Sequence, residues 1–169
     1  MDIKFLTLEE FHSRIETPAI LIDKNRQLEK AISNSQAELP YPDYQWIEDR
    51  FWIWIHYALL KIGRGEFFEA YDFFGFLRMV VFGPLLHIKN HSLPRGVRKL
   101  EAVMTDEDAN KLKTTMPEYN RQSLIESLKN AVTLYRQLSD LLFDDKVLLQ
   151  KDTEQNVMTY FERIENSTL

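Results

Sequence analysis

The run DYQWIEDRFWIWIHYALLKIGRGE, residues 43–66, decides the fold class of this chain. Ile47, Phe51, Trp54, Ile55, Ala58 and Ile62 recur at the three- and four-residue spacing of one helix face. Trp52, Ile53, Tyr57 and Leu60 cover much of the remaining surface. A helix that is apolar almost all round belongs at the centre of a helical domain. Asp43 is its natural N-cap, because a short carboxylate accepts from the free amides of the first turn. Gly63-Arg64-Gly65 is a tight turn, in which Gly63 is expected to supply the left-handed residue that ends the helix. Glu66 then stands in the first turn of the next helix, where negative charge is favoured. The pattern predicts helices over residues 43–62 and 66–82, joined as an antiparallel hairpin.

Reading outward, Phe67, Ala70, Tyr71, Phe74, Leu77 and Val81 form the main face of the second helix. Gly83-Pro84 is expected to kink or end it, because proline lacks an amide and its ring meets the carbonyl four residues back. Residues 85–89 continue for a turn or two, and residues 90–98, with Pro94 and Gly96, form a loop. Thr105-Asp106-Glu107-Asp108 opens a short helix to residue 113. Pro117 precedes a long helix over 118–143, in which Leu124, Leu128, Ala131, Tyr135, Leu138 and Leu142 keep helical spacing. A last amphipathic helix spans 153–164, with Val157, Phe161 and Ile164 facing inward.

Upstream, Leu39-Pro40-Tyr41-Pro42 is a stiff extended linker. Before it, residues 2–7 alternate polar and apolar, the signal of a short strand. Thr7 and Glu10 form a capping box for a helix running to Ile15, and a modest helix follows near residues 26–33. The expected fold is therefore mainly α: a helical bundle over 43–169, preceded by a strand, short helices and linker over 1–42. A strand needs a partner, so a lone one points to a sheet completed by another chain or by sequence upstream.

Composition narrows the chemistry. The 169 residues are 44% hydrophobic and 28% charged, the usage of an ordinary globular domain. With no cysteine, disulfides, thiolate metal sites and cysteine nucleophiles are excluded. A net charge of -5 argues against a nucleic-acid surface, although His91, Arg95, Arg98 and Lys99 cluster in one loop. The start lacks a secretory signal pattern, and no uninterrupted apolar run reaches about 18 residues. The expected location is cytoplasmic, without a membrane partner. There is no Gly-x-Ser-x-Gly elbow and no glycine-rich phosphate loop.

Three polar sets remain. Glu69 and Asp72, three apart, share a helix face. Either they pair with Arg78 or with Arg50, or Arg64 and Arg78 face a ligand. Arg50 and His56 have the Arg-x5-His spacing that resembles HEPN-type ribonucleases, but residues six apart lie about 240° apart around a helix. The plain reading of His56 is a hydrogen-bonded core histidine. His87 and His91 are four apart without the intervening glutamate of a zinc protease, so a surface or capping role is expected and no metal site.

The segments WIEDRFWIWIHYA (46–58), KIGRGE (61–66), Glu69-Ala70 and Phe76-Leu77-Arg78 resemble the helical C-terminal domain of nucleotidyltransferase-like proteins, relatives of the aminoglycoside nucleotidyltransferases. The resemblance covers roughly residues 1–100. It implies that Arg64, Glu66 and Arg78 shape one wall of an acceptor cleft. It also implies that Asp2, in Asp2-Ile3-Lys4-Phe5, matches the strand of a third metal-binding carboxylate; an ordinary strand-starting aspartate is the alternative. The Gly-Ser turn and paired aspartates of such enzymes do not occur here. The chain is thus expected to be non-catalytic alone, with magnesium and NTP bound only where a catalytic domain is supplied. The expected partners are a second copy or a nucleotidyltransferase domain. The rival readings are a stand-alone helical interaction module and a HEPN-like ribonuclease.

Overall fold

Thr7 and Glu10 set the first helix. The Glu10 amide donates to Thr7 Oγ1 at 3.2 Å, and the Thr7 amide donates to Glu10 Oε2 at 2.8 Å. The resulting α1, Leu8–His12, is shorter than the expected run to Ile15. The chain turns away where the buried Arg14 guanidinium donates to the hydroxyl and carbonyl of Ser35. Asp23 opens α2, Gln27–Asn34, by accepting from the amides of Gln27 and Glu29. The computed structural model describes residues 4–167, so the expectation placed on Asp2 lies outside the described residues. Among the described residues there is no strand. Residues 4–6 run directly into the helix cap, and an alternating segment without a ladder partner does not hold as a strand. The chain divides into two units, Met1–Tyr41 and Pro42–Leu169.

The second unit is mainly α-helical. Asp43 accepts from the Trp46 amide at 3.0 Å and starts α3, Tyr44–Gly63; Gly63 stays helical, and the left-handed residue of the turn is Gly65, at φ +74. Then come α4 (Phe67–Leu77), a π turn (Arg78–Phe82) and α5 (Gly83–Lys89). After a 3₁₀ turn at Leu100–Ala102 follow α6 (Asp106–Lys113), α7 (Arg121–Leu142) and α8 (Lys151–Asn166). The long helix α7 begins at Arg121 rather than at 118, because Asn120 is its cap and accepts from the Ser123 amide at 2.9 Å.

Gly83-Pro84 neither ends nor breaks the second helix. The Gly83 amide donates to the Arg78 carbonyl, five residues back. This wider turn relieves the crowding that Pro84 would impose on the preceding carbonyls, and helix continues to Lys89. The run Phe67–Lys89 is long and apolar enough to cross a membrane by length and composition alone; half of its most apolar window is buried within the fold.

The core forms around α3. Ile47, Phe51, Ile55, Ala58, Leu59 and Ile62 are buried against α4, α7 and α8. Phe51 stacks on Tyr135 of α7 with ring centroids 3.5 Å apart. Tyr71, assigned to the inner face by its spacing, is exposed instead; Ala70, Phe74 and Leu77 supply that face. One carboxylate sits inside the core: Glu48 of α3 is 3% exposed. It accepts from the Tyr135 hydroxyl, from Trp52 Nε1 at 3.3 Å and from the Gln150 amide at 2.8 Å. Burial, then the bond to Glu48, raises the Tyr135 pKa, which keeps the phenol protonated as a donor.

A second buried carboxylate, Asp108, ties α6 to the end of α5. It accepts from Lys89 Nζ and from Asn90 Nδ2. Burial pushes its pKa up, but the bonds from Lys89 and Asn90 outweigh burial and leave it lowered. A carboxylate with a depressed folded pKa contributes stability that is complete above its unfolded value, about 3.9, and fades as pH falls through the folded value. The Asp108→Asn variant is therefore expected to lose stability at neutral pH and to converge on the wild type as pH falls from about 3.9 through the lowered folded value. Urea midpoints measured across that range check this, and parallel curves at all pH values would refute it.

Candidate functional site

The face of α3 opposite the core is not covered. Ile53 is 58% exposed. With Trp54 and Tyr57 it forms one wall of a cavity of about 510 Å³. The other wall is Glu69, Asp72, Phe73 and Phe76 of α4, spaced i, i+3, i+4 and i+7, a single helical stripe. An apolar face all round α3 thus makes a core on one side and a cleft on the other.

The cleft floor is aromatic. Trp46 meets Trp54 at 5.4 Å between centroids, Trp54 meets Phe76 at 5.1 Å, Phe76 meets Phe73 at 5.5 Å, and Phe73 meets Tyr57 at 5.2 Å. Such edge and offset contacts hold rings in place beyond simple area burial. Next to this ring series, the Arg50 guanidinium lies 4.6 Å from the centre of the Trp46 ring and donates to the Trp46 carbonyl at 3.1 Å.

The α3–α4 turn closes one end of the cleft with charge. Lys61 Nζ lies 2.7 Å from Glu66 and 3.0 Å from Glu69. The Tyr57 hydroxyl donates to Glu69, and Arg64 stands 3.9 Å from Glu66. The Tyr57 bond, and then Lys61, lower the Glu69 pKa; Glu66 and then Glu69 raise that of Lys61. Glu69 is therefore a fixed anion at the cleft rim. Asp72, one turn on, makes no ion pair among the described residues and presents a second carboxylate. Aromatic faces beside carboxylates suit a ligand with a flat or ring-shaped body and a positive charge.

The structure brings Arg64 and Glu66 together at this turn but not with Arg78. Twelve residues of helix separate Glu66 from Arg78, about 18 Å of rise, and Arg78 lines a different cavity. The expected pairing of Glu69 or Asp72 with Arg78 or Arg50 does not occur. Glu69 goes to Lys61 and Tyr57, Arg50 to Trp46, and Arg78 Nη1 is buried without a protein hydrogen-bond partner. Lys61 was missed by the sequence reading; Tyr57 and Lys61 stand four apart, the spacing that aims both at one carboxylate across the turn.

Arg50 and His56 point to different partners, since the half-buried His56 ring lies 5.0 Å from Tyr160 of α8. His87 is not a surface residue. It is buried, and its Nε2 donates to the Arg98 carbonyl at 3.2 Å, which holds the loop after α5 in place. Among the described residues no three His, Asp or Glu side chains converge as a cation cage. Compared with known proteins, the chain matches no family model, and no curated protein matches it significantly.

Proposed function

We propose that this chain is the helical, acceptor-side domain of a nucleotidyltransferase-like protein, and that nucleotide and metal chemistry belong to a domain or chain outside the described residues. The observation that carries the reading is the α3–α4 cleft, with its aromatic floor and the carboxylates Glu69 and Asp72 on one wall. A transfer reaction needs its acceptor hydroxyl held in place, and side chains on two packed helices supply that rigidity. Carboxylates over aromatic faces match an amine-bearing, ring-shaped acceptor such as an amino sugar.

Calorimetric titration with kanamycin and, separately, with Mg-ATP tests this. The expected result is binding of kanamycin, weakened about tenfold by Asp72→Asn as one charge-assisted contact is lost, and no binding of Mg-ATP. Micromolar binding of Mg-ATP, or kanamycin binding indifferent to both Asp72→Asn and Glu69→Gln, would overturn the reading.

The interaction-module reading draws on exposed apolar side chains: Ile53 in the cleft, and Phe68 and Met79 elsewhere on the α4 and π-turn surface, are all more than half exposed. Light scattering separates the two: a dimer dissociated by Ile53→Glu supports self-association, and a monomer at all concentrations removes it. Arg50 and His56 lend no support to ribonuclease chemistry, being engaged with Trp46 and Tyr160.

A further inference from the structure

A second cavity, of about 430 Å³, lies where the π turn faces the segment after α5. Arg78, the first residue of the π turn, forms part of its wall, with Val97, Leu100, Met104, Ala109 and Leu112 making most of the rest. It shares no lining residue with the α3–α4 cleft. A volume of several hundred Å³ is that of a small-molecule site.

Three features single it out. Arg78 is half-buried, and its Nη1 is buried with no protein hydrogen-bond partner; a buried donor without an acceptor is costly. Burial lowers the Arg78 pKa, with no carboxylate offsetting it, yet a guanidinium stays charged at any physiological pH. Two carboxylates, Glu101 and Asp106, line the same cavity, and neither forms an ion pair with Arg78. The cation is thus held away from nearby carboxylates and beside apolar walls. Finally, Arg78 opens a π turn, a local widening of the helix that often accompanies functional sites.

The charges limit what fits. Arg78 and Lys113 are balanced by Glu101 and Asp106 around the cavity. A dianion would meet the two carboxylates, whereas a single carboxylate can take both donors of the guanidinium fork. The remaining wall is aliphatic and thioether, and Met104 and Met116 adapt to varied apolar shapes.

We infer that this cavity binds a monocarboxylate with an apolar body, of the size of a medium-chain fatty acid, with its carboxylate on Arg78. The body lies along Leu100, Met104 and Leu112, whose apolar side chains it covers. This gives the chain a ligand site independent of the acceptor reading, and the failure of one leaves the other standing.

Titration of the full chain with decanoate tests it, followed by calorimetry and by the side-chain nitrogen resonance of Arg78. Wild type is expected to bind decanoate with a shift of the Arg78 resonance. Arg78→Met, which keeps the apolar stem, should bind about ten- to a hundredfold more weakly, the loss of a charge-assisted bond. Decanol should show a similar deficit on the wild type. Ala109→Phe, which fills the cavity and keeps Arg78, should also abolish binding, so the test survives if Arg78→Met fails to fold. Equal binding of decanoate and decanol, an Arg78 resonance that does not move, or inorganic phosphate binding as well as decanoate would each overturn the inference.

Discussion

Gly83→Ala is expected to destabilise the bundle by about 2–3 kcal/mol, although alanine is the better helix former. Alanine in place of glycine inside a helix gains roughly 1 kcal/mol. Here a Cβ would stand 2.4 Å from the Gly96 carbonyl oxygen, 2.6 Å from its carbon and 2.9 Å from the Arg78 carbonyl oxygen. All three are backbone atoms, so no side chain can swing aside. Gly96 is itself held at φ +62, and the His87 bond to the Arg98 carbonyl anchors its loop. Overpacking costs about 1–3 kcal/mol and occasionally more; with three fixed backbone atoms inside contact distance the upper end applies, so the clash outweighs the propensity. Gly63→Ala is the control. Its Cβ would meet only the tip of the flexible Ile164 side chain, at 2.9 Å, and its effect should stay within about 1 kcal/mol. Urea denaturation of both variants decides the matter; a wild-type midpoint for Gly83→Ala would show that the loop yields.

Glu48→Leu is expected to cost more, about 3–5 kcal/mol, because it strands three donors in the core. The Tyr135 hydroxyl, Trp52 Nε1 and the Gln150 amide all lose their acceptor at once. Leucine matches the volume closely, so the loss measures unpaired polar groups rather than a cavity. Tyr135→Phe alone removes one bond and should cost about 1 kcal/mol. In the double variant the stranded hydroxyl is gone, so its loss should fall below the sum of the two single losses. Equilibrium denaturation of the four proteins tests this. Strict additivity would mean that Glu48 and Tyr135 do not form one network.

Much of the helical framework was legible in the sequence, because the signals are local. Asp43 caps α3, and Thr7 and Glu10 cap α1, through bonds that span three residues. The N-terminal strand was not realised among the described residues, since alternation proposes a strand but only a neighbouring strand can hold one. Gly83-Pro84 read as a kink or an end, and the π turn ahead of it let the helix pass.

The candidate site was only half legible. Arg64 and Glu66 do meet at the α3–α4 turn, because a hairpin turn confines residues close in sequence. Ile53 shows the opposite case. Its apolar character marked it for the core, yet it lines an open cleft, because periodicity gives an angle around a helix and not whether another element covers that angle.

By itself, the sequence determined a mainly α-helical chain, its principal helix and a charged turn that ends it; each follows from propensity, capping and spacing within a few residues. Tertiary structure alone decided that Glu48 is locked to Tyr135, 87 positions away, that Gly83 must lack a side chain, and that Arg78 is left unpaired beside an apolar cavity. Those outcomes depend on which distant backbone arrives at a given face, and no pattern within one helix carries that information.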